Sequence, residues 1–145
     1  MPATITDRNR MPEIIAELRR LKGLEARIGV FDMEELVRRA AANEFGLGHN
    51  PERSVFRASM HDNAGLIADH SQAGVRRVMK GTASARDVHE SVGLLVDGLV
   101  KDKMNDQIPP PLAPETVARK GSDKTWIDSG ETRNAVTHMV ADRKG

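Results

Sequence analysis

One apolar stripe in the middle of the chain limits the possible folds more than any other feature. Its residues recur at helical spacing: Val88, Val92, Leu95, Val96 and Leu99. A period near 3.6 residues is typical of an amphipathic helix that buries one face. Ser84 and Asp87 precede the stripe at the spacing of a capping box. The helix is therefore predicted to begin there.

A second apolar segment lies just before this helix. It predicts a helix that begins near Val55 or Met60 and ends at Met79, although its spacing is imperfect in the middle. Gly81 and Thr82 then break the helical pattern. Two long helices joined by so short a turn predict an antiparallel helical hairpin.

The N-terminal third predicts a helix, a strand and a second helix. Pro12 suits the first turn of a helix that ends at Gly23. Apolar and polar residues alternate along 25–31, which predicts a strand. Asp32 and Glu35 have the spacing of a capping-box variant, and the amphipathic helix that follows is predicted to end at Gly46, with Phe45 covering its apolar side.

The C-terminal third begins with a segment that cannot form a regular element. Four of the seven residues in 108–114 are proline, which removes four backbone donors and predicts an extended connector. A short helix is predicted at 114–120, and the motif at 128–130 predicts a turn or the start of a helix. Alternation over 136–141 predicts a second strand that pairs near Ile28 and Val30.

These elements predict an α+β fold. A small antiparallel sheet is expected to pack against several helices, including the long helical hairpin. The length of 145 residues suits a single domain spanning 1–145, with a flexible loop at 46–54 and the proline-rich connector at 106–114. Because aromatic residues are only 3% of the chain, the core is expected to be mainly aliphatic.

Charge and cysteine content exclude several classes. The 22 basic and 21 acidic residues alternate along the chain and nearly cancel, which argues against a dedicated DNA-binding protein. The densest basic group, Arg76, Arg77, Lys80 and Arg86, is expected to be a solvated helix end. With no cysteine, the chain suits a reducing cytoplasm. No segment has the pattern of a signal peptide or a membrane span.

Catalytic and cofactor motifs are absent from the sequence. The five histidines form no His-Glu-x-x-His motif, and His61 and His70 are too far apart to share one helical turn. The glycines near 46 and 121 lack the remaining residues of a dinucleotide or phosphate loop. We therefore predict that the chain is not an enzyme and has no catalytic residues, no metal site and no cofactor.

Two regions carry ordered motifs. The first motif region, residues 43–57, contains Asn-Glu-Phe-Gly at 43–46 and Pro-Glu-Arg-Ser-Val-Phe-Arg at 51–57. The second motif region, residues 111–137, contains Pro-Leu-Ala-Pro-Glu-Thr at 111–116, Lys-Gly-Ser-Asp-Lys at 120–124, and Ile-Asp-Ser-Gly-Glu-Thr-Arg-Asn-Ala-Val-Thr at 127–137.

These regions resemble the neck or tail-completion proteins of long-tailed bacteriophages. That family has Asn-Glu-Phe-Gly, then Ile-Pro-x-Arg-Pro-Phe-Leu/Phe-Arg, and later Asp-Thr/Ser-Gly-x-Leu/Thr-Arg-Asn. One departure is Ser54, where the family usually has proline. The two quoted blocks cover roughly a third of the chain.

The resemblance implies a structural virion protein of a phage or prophage. It would act in tail completion and head-to-tail joining, as a homo-oligomeric ring, possibly a hexamer, at the neck. Its partners would be the tail terminator or tail tube and the head-closure ring, with DNA passing through unbound. The chain would be made in the bacterial cytoplasm and located in the virion. The alternatives are a nucleic-acid-binding or regulatory module and, with less support, a small hydrolase.

The motif residues are candidates for fold or subunit-interface roles. They are Asn43, Glu44, Phe45, Gly46, Arg53, Phe56, Arg57, Trp126, Asp128, Ser129, Gly130, Arg133 and Asn134.

Roles differ among these candidates. We expect Phe56 in the core, and Trp126 there too unless it is exposed, in which case an interface is favoured. Arg53 and Arg57 are expected to contact acidic residues of a neighbouring subunit or only water.

For the turn at 128–130 we expect particular hydrogen bonds and one unusual backbone conformation. Asp128 or Ser129 should accept bonds from amides of the following turn, and Gly130 should adopt an unusual backbone angle. Arg133 should pair with Asp128 or reach a neighbouring subunit, and Asn134 could serve either the fold or an interface.

Overall fold

The computed structural model describes residues 8–126 and 130–145. Its elements, in chain order, are α1 (Met11–Arg20), a 3-10 turn (Leu21–Gly23), β1 (Leu24–Val30), α2 (Glu34–Phe45), α3 (Phe56–Asp62), α4 (Ala64–Met79), α5 (Ala85–Met104), α6 (Pro114–Lys120), α7 (Glu131–Ala135) and β2 (Val136–Asp142). The predicted α+β class is confirmed.

The sheet joins the two halves of the chain. β1 and β2 pair antiparallel, with Val30 opposite Val136 and Ile28 opposite His138. Helix α5 packs against both strands as well as α3 and α4. Val92 and Val96 of the predicted apolar stripe lie in or against the same core cluster as Ile28, Val30 and Val136 of the sheet. The predicted pairing of the C-terminal strand with the first strand is confirmed.

The helical hairpin is formed by α4 and α5. Ser84 Oγ accepts a hydrogen bond from the Asp87 amide at 3.1 Å, and Asp87 Oδ2 accepts from the Ser84 amide at 2.8 Å. His70 on α4 contacts Ser91 on α5, and Gly74 approaches Val88, so the helices run antiparallel. The predicted capping box and hairpin are both confirmed.

Two local predictions were wrong. The single helix expected to end at Met79 is divided into α3 and α4 at Asn63, whose backbone leaves the helical region and whose Nδ2 donates to Ser59 O at 2.8 Å. The capping box expected from Asp32 and Glu35 does not form. α2 begins at Glu34, after Asp32 has adopted a left-handed backbone with φ of 62°. Aspartate tolerates that conformation better than most residues.

The core lies between α5, the sheet and the two motif regions. Its main buried cluster contains Ala40, Val55, Val96, Val100, Met104, Trp126 and Val136. The expected aliphatic character is confirmed, with one tryptophan added. None of the helices in residues 8–126 and 130–145 is long and apolar enough to cross a membrane.

Gly46 ends α2 in a left-handed conformation, as predicted, with φ of 67°. A Cβ atom there would lie 2.8 Å from the backbone nitrogen of Glu52. Gly46→Ala is therefore expected to lower the free energy of unfolding by about 1–3 kcal/mol. Gly98→Ala is the matched control, because Gly98 lies exposed inside α5 with no atom near the new methyl group.

Urea unfolding of both variants measures the difference. Gly98→Ala is expected to stabilise the chain by about 0.5–1 kcal/mol, since alanine has the higher helix propensity. Equal changes in the two variants would contradict the close contact at Gly46.

Candidate functional site

The two motif regions, far apart in sequence, meet at Trp126. The indole Nε1 donates to the carbonyl oxygen of Arg53 at 2.9 Å. The Trp126 ring packs edge-to-face against Phe56, with centroids 6.0 Å apart. Trp126 is only 3% exposed, so its expected core position is confirmed, and the exposure that would have favoured an interface is not found. Phe56 is half-buried and packs against the same core.

Glu44 organises the first motif region. Its side chain is 3% exposed. Oε2 accepts from the amides of Val55 and Phe56 at 2.6 and 3.0 Å. Oε1 accepts from the amide of Arg57 at 3.0 Å and from Ser54 Oγ at 2.8 Å. The first amides of a helix have no hydrogen-bond partner within the helix, and the N-cap residue of α3, Val55, provides none through its side chain. The Glu44 carboxylate accepts these bonds instead.

Ser54 has a role in this network. Its hydroxyl adds one bond to the Glu44 carboxylate, and a proline at this position could not supply that bond. Burial raises the pKa of Glu44, but the bonds from Val55, Arg57, Ser54 and Phe56 outweigh that effect, so the net pKa is lowered.

Arg57 completes the network from the outside. Nε contacts Glu44 Oε1 at 3.1 Å, while Nη2 donates to the Glu44 carbonyl at 2.6 Å and to Glu52 at 2.8 Å. Hydrogen bonds to Glu44 and Glu52 raise the pKa of Arg57, and burial opposes them. The expectation that Arg57 contacts only water was wrong, because it binds carboxylates of its own chain. Its contact with a neighbouring subunit stays a prediction.

Phe45 also differs from expectation. Its side chain is 56% exposed, so it does not seal the apolar side of α2. The Arg57 guanidinium lies over the ring, 4.8 Å from the centroid, in cation–π geometry.

Arg53 is buried, which corrects the expectation of an external or solvated contact. It is 6% exposed, and its Nε donates to the carbonyl of Pro110 at 2.8 Å. Its amide donates to the carbonyl of Asn43 at 2.8 Å. Burial lowers the pKa of the Arg53 guanidinium. Arg53 therefore ties the first motif region to the proline-rich connector.

A concave space, which we call the basic cleft, opens between the two motif regions. Its volume is about 460 Å³. Its lining includes Arg39, Arg53, Arg119, Lys120, Thr125 and Trp126. No acidic side chain lines the cleft within the described parts of the chain. This cleft was not predicted from the sequence, since its basic residues come from three separate segments: Arg39 in α2, Arg53 in the loop after it, and Arg119 with Lys120 in α6.

The end of the second motif region is partly described. Gly130 has φ of 81°, which confirms its expected backbone role. Arg133 Nε donates to the carbonyl of Lys101 at 3.3 Å, and the Asn134 side chain is exposed. Asp128 and Ser129 lie outside the described residues. The bonds expected from amides of the following turn to these side chains, and the expected pairing of Asp128 with Arg133, therefore stay predictions.

A histidine between two carboxylates joins β2 to α5. His138 Nδ1 lies 3.2 Å from Asp97 Oδ2, and Nε2 lies 3.3 Å from Glu90. Asp97 is buried and forms a 2.8 Å ion pair with Lys101. Asp97 was not among the residues predicted from the sequence, although it lies four residues before Lys101, a spacing that favours an ion pair within a helix.

His70 and Ser91 form a second polar pair, 2.7 Å apart. A catalytic pair usually needs a third group that orients the histidine. No such bond reaches His70 Nδ1 from the residues that the structure describes. This pair therefore gives the hydrolase alternative no support.

Searches for similar proteins give no identification. No family model, no curated protein and no solved structure matches the chain. Across residues 8–126 and 130–145, no group of three or more suitable side chains could hold a metal ion.

The lowered pKa of Glu44 predicts a pH-dependent effect for Glu44→Gln. A carboxylate whose pKa falls on folding stabilises the fold above its unfolded pKa and loses that contribution as pH falls through the folded value. The stability difference between wild type and Glu44→Gln should be full at neutral pH and shrink below the ordinary pKa of 4.5. Urea unfolding across this pH range measures it. A difference that stays constant would contradict the prediction.

Proposed function

We propose that this chain is a structural virion protein of a phage or prophage that acts in tail completion and head-to-tail joining. The observation that carries the proposal is the contact between the two motif regions, on which the family resemblance rests. The first motif region contacts the second at Trp126, through the Trp126–Arg53 hydrogen bond and the Phe56–Trp126 ring contact. The motifs on which the resemblance rests therefore pack together in one part of the fold.

The surface beside the first motif region supports an assembly role. Phe45 and Leu47 are 56% and 52% exposed, and they flank Gly46 where α2 ends. Neighbouring exposed apolar side chains mark contact surfaces more often than isolated ones do. Leu47 lies in the loop that the proposal assigns to reaching a neighbouring subunit.

The proposed assembly is a ring at the neck, possibly a hexamer. A closed ring needs two different surfaces on each subunit, which meet head to tail. Its partners in the proposal are the tail terminator or tail tube on one side and the head-closure ring on the other. DNA passes through the ring without specific binding, which suits a net charge of +1.

Deletion of the gene from the phage or prophage that encodes it tests the proposal. Electron microscopy of the resulting particles should show filled heads and free tails that fail to join, or tails of abnormal length. Wild-type chain supplied in trans should restore joined particles. Normal infectious virions from the deletion strain would contradict the proposal.

Complementation with variants tests which surfaces assemble. Leu47→Ser should restore fewer joined particles than wild type, because it removes an exposed apolar contact. Leu94→Ser is the matched control, since Leu94 is 64% exposed on α5, away from the motif regions. Arg133→Ala tests a second interface candidate and should also restore fewer joined particles than wild type if Arg133 reaches a neighbouring subunit. If Leu47→Ser and Leu94→Ser restore joined particles equally well, Leu47 in the 46–54 loop is not part of the assembly surface.

A further inference from the structure

The basic cleft concentrates positive charge around a concave space. Arg39, Arg53, Arg119 and Lys120 all line it, without an acidic lining residue among those described. Like charges around a shared space repel one another, and more strongly where water is partly excluded. An anion bound in the cleft would be attracted by each of these cations and would offset the repulsion among them.

Arg53 has binding capacity that the fold does not use. Nε is held by the carbonyl of Pro110 at 2.8 Å, which fixes the guanidinium in place. Neither Nη atom bonds to any residue in 8–126 or 130–145. Arg53 as a whole is 6% exposed, and an arginine buried to this extent usually has an anionic partner. The fixed planar fork suits bidentate binding of a carboxylate or phosphate.

Thr125 supplies a second, independent sign of a ligand. Its side chain is 5% exposed and lines the cleft. Oγ1 is buried and has no hydrogen-bond partner in the described chain. Buried hydroxyls are nearly always satisfied, so an orphaned one beside a basic cleft indicates a missing acceptor.

The other two arginines are available at the rim. Among residues 8–126 and 130–145, the one ion pair of Arg39 is with Glu35, at 3.6 Å, and that carboxylate is well exposed. Arg119 forms no ion pair with the residues that the structure describes. Exposed ion pairs such as Arg39–Glu35 are weak, so Arg39 can turn toward a ligand at little cost.

The surroundings favour a carboxylate from a protein over the phosphates of a nucleic acid. Glu35, Glu52 and Glu115 are exposed residues next to the cleft in space or in sequence, and they would repel a polyanion. Nucleic-acid binding needs a basic surface that follows several phosphates. The cleft instead concentrates its charge at one point, and Trp126 and Leu112 give it apolar surface for a peptide side chain.

We propose that the basic cleft is an oxyanion-binding site whose ligand is a carboxylate-bearing segment of another protein chain. Arg53 and Arg119 bind the carboxylate, Thr125 donates its hydroxyl, and Arg39 closes the rim. This site does not rest on the proposed virion role, because the purified chain can be tested for binding by itself.

Nuclear magnetic resonance titration of the purified chain tests the site. The probes are inorganic phosphate, a short peptide with a single glutamate and blocked termini, and a single-stranded oligothymidine. We expect saturable shifts of the Trp126 indole and the Thr125 amide with phosphate and with the peptide. Absence of saturable shifts with the peptide would overturn the proposal. Tighter binding of the oligothymidine at equal salt would also overturn it, in favour of a nucleic-acid site.

Variants separate binding from folding. Arg119→Ala should weaken peptide binding by about fivefold to tenfold, since it removes one charge-assisted hydrogen bond. Arg76→Ala, which removes an exposed arginine on α4, is the control and should bind as wild type does. Equal weakening by both variants would show that only net charge matters, which would overturn the site.

Thr125→Val gives the sharpest result. Valine has nearly the shape of threonine, so the substitution removes an unsatisfied hydroxyl without opening a cavity. The melting temperature should stay equal or rise, while peptide affinity falls by about threefold or more. A merely structural role predicts lower stability with unchanged affinity, and that result would overturn the proposal.

Discussion

Glu44→Ala is expected to lower the free energy of unfolding by about 3–5 kcal/mol, the range for loss of one partner from a buried charged network. The substitution leaves the amides of Val55, Phe56 and Arg57 without their acceptor. Each buried donor left unpaired has a cost of about 1–3 kcal/mol, which water entering the vacancy reduces. Urea unfolding followed by circular dichroism measures the loss.

Glu34→Ala is the matched control for this prediction. Glu34 lies on the same helix, and its side chain is 94% exposed with only a 4.0 Å contact to Arg38. Its removal should change stability by less than about 0.5 kcal/mol. A loss at Glu44 no greater than that at Glu34 would contradict the assignment of Glu44 as the cap of α3.

Trp126→Ala is expected to have an effect of similar size, about 3–5 kcal/mol, as for other buried aromatic residues. It removes the ring contact with Phe56 and opens a cavity in the main core cluster. It also breaks the bond to the Arg53 carbonyl, and with it a direct link between the motif regions.

Trp126→Phe separates the two contributions. Phenylalanine retains an aromatic ring but cannot donate to Arg53, so the expected loss is about 1–2 kcal/mol. Leu94→Ala is the control for a large exposed side chain and should change stability by less than about 0.5 kcal/mol. If Trp126→Ala and Leu94→Ala were equally mild, Trp126 would not be the anchor of this core.

The sequence predicted those elements whose signals are local. The Ser84–Asp87 capping box, the stripe on α5 and the glycine end of α2 depend on residues within a few positions of one another. The pairing of β1 with β2 was also predictable, because the chain offers only two clear alternating segments. The prediction at Asp32 was wrong: the spacing of Asp32 and Glu35 matched a capping box, but Asp32 adopts a left-handed backbone in the turn before α2.

The candidate site could not be predicted in the same way, because it is formed by contacts between residues that are far apart in the sequence. The Glu44 carboxylate caps α3 from a different helix, across 11 to 13 residues. Arg53 meets Pro110 across 57 residues, and Trp126 meets Arg53 across 73. Motif matching marked Glu44, Arg53 and Trp126 as important but could not tell buried partners from interface contacts. No sequence pattern pointed to Thr125 as a site residue, because its hydroxyl is notable only for being buried without a hydrogen-bond partner among the described residues.

Locating the chain in purified particles tests the virion role most directly. A C-terminal affinity tag suits this experiment, because Arg143, Lys144 and Gly145 are exposed. Gold labelling of tagged particles should place the chain at the junction between head and tail, and mass spectrometry should detect it in the same preparation. Absence of the chain from purified infectious particles, or its presence only in the unassembled fraction, would contradict the account.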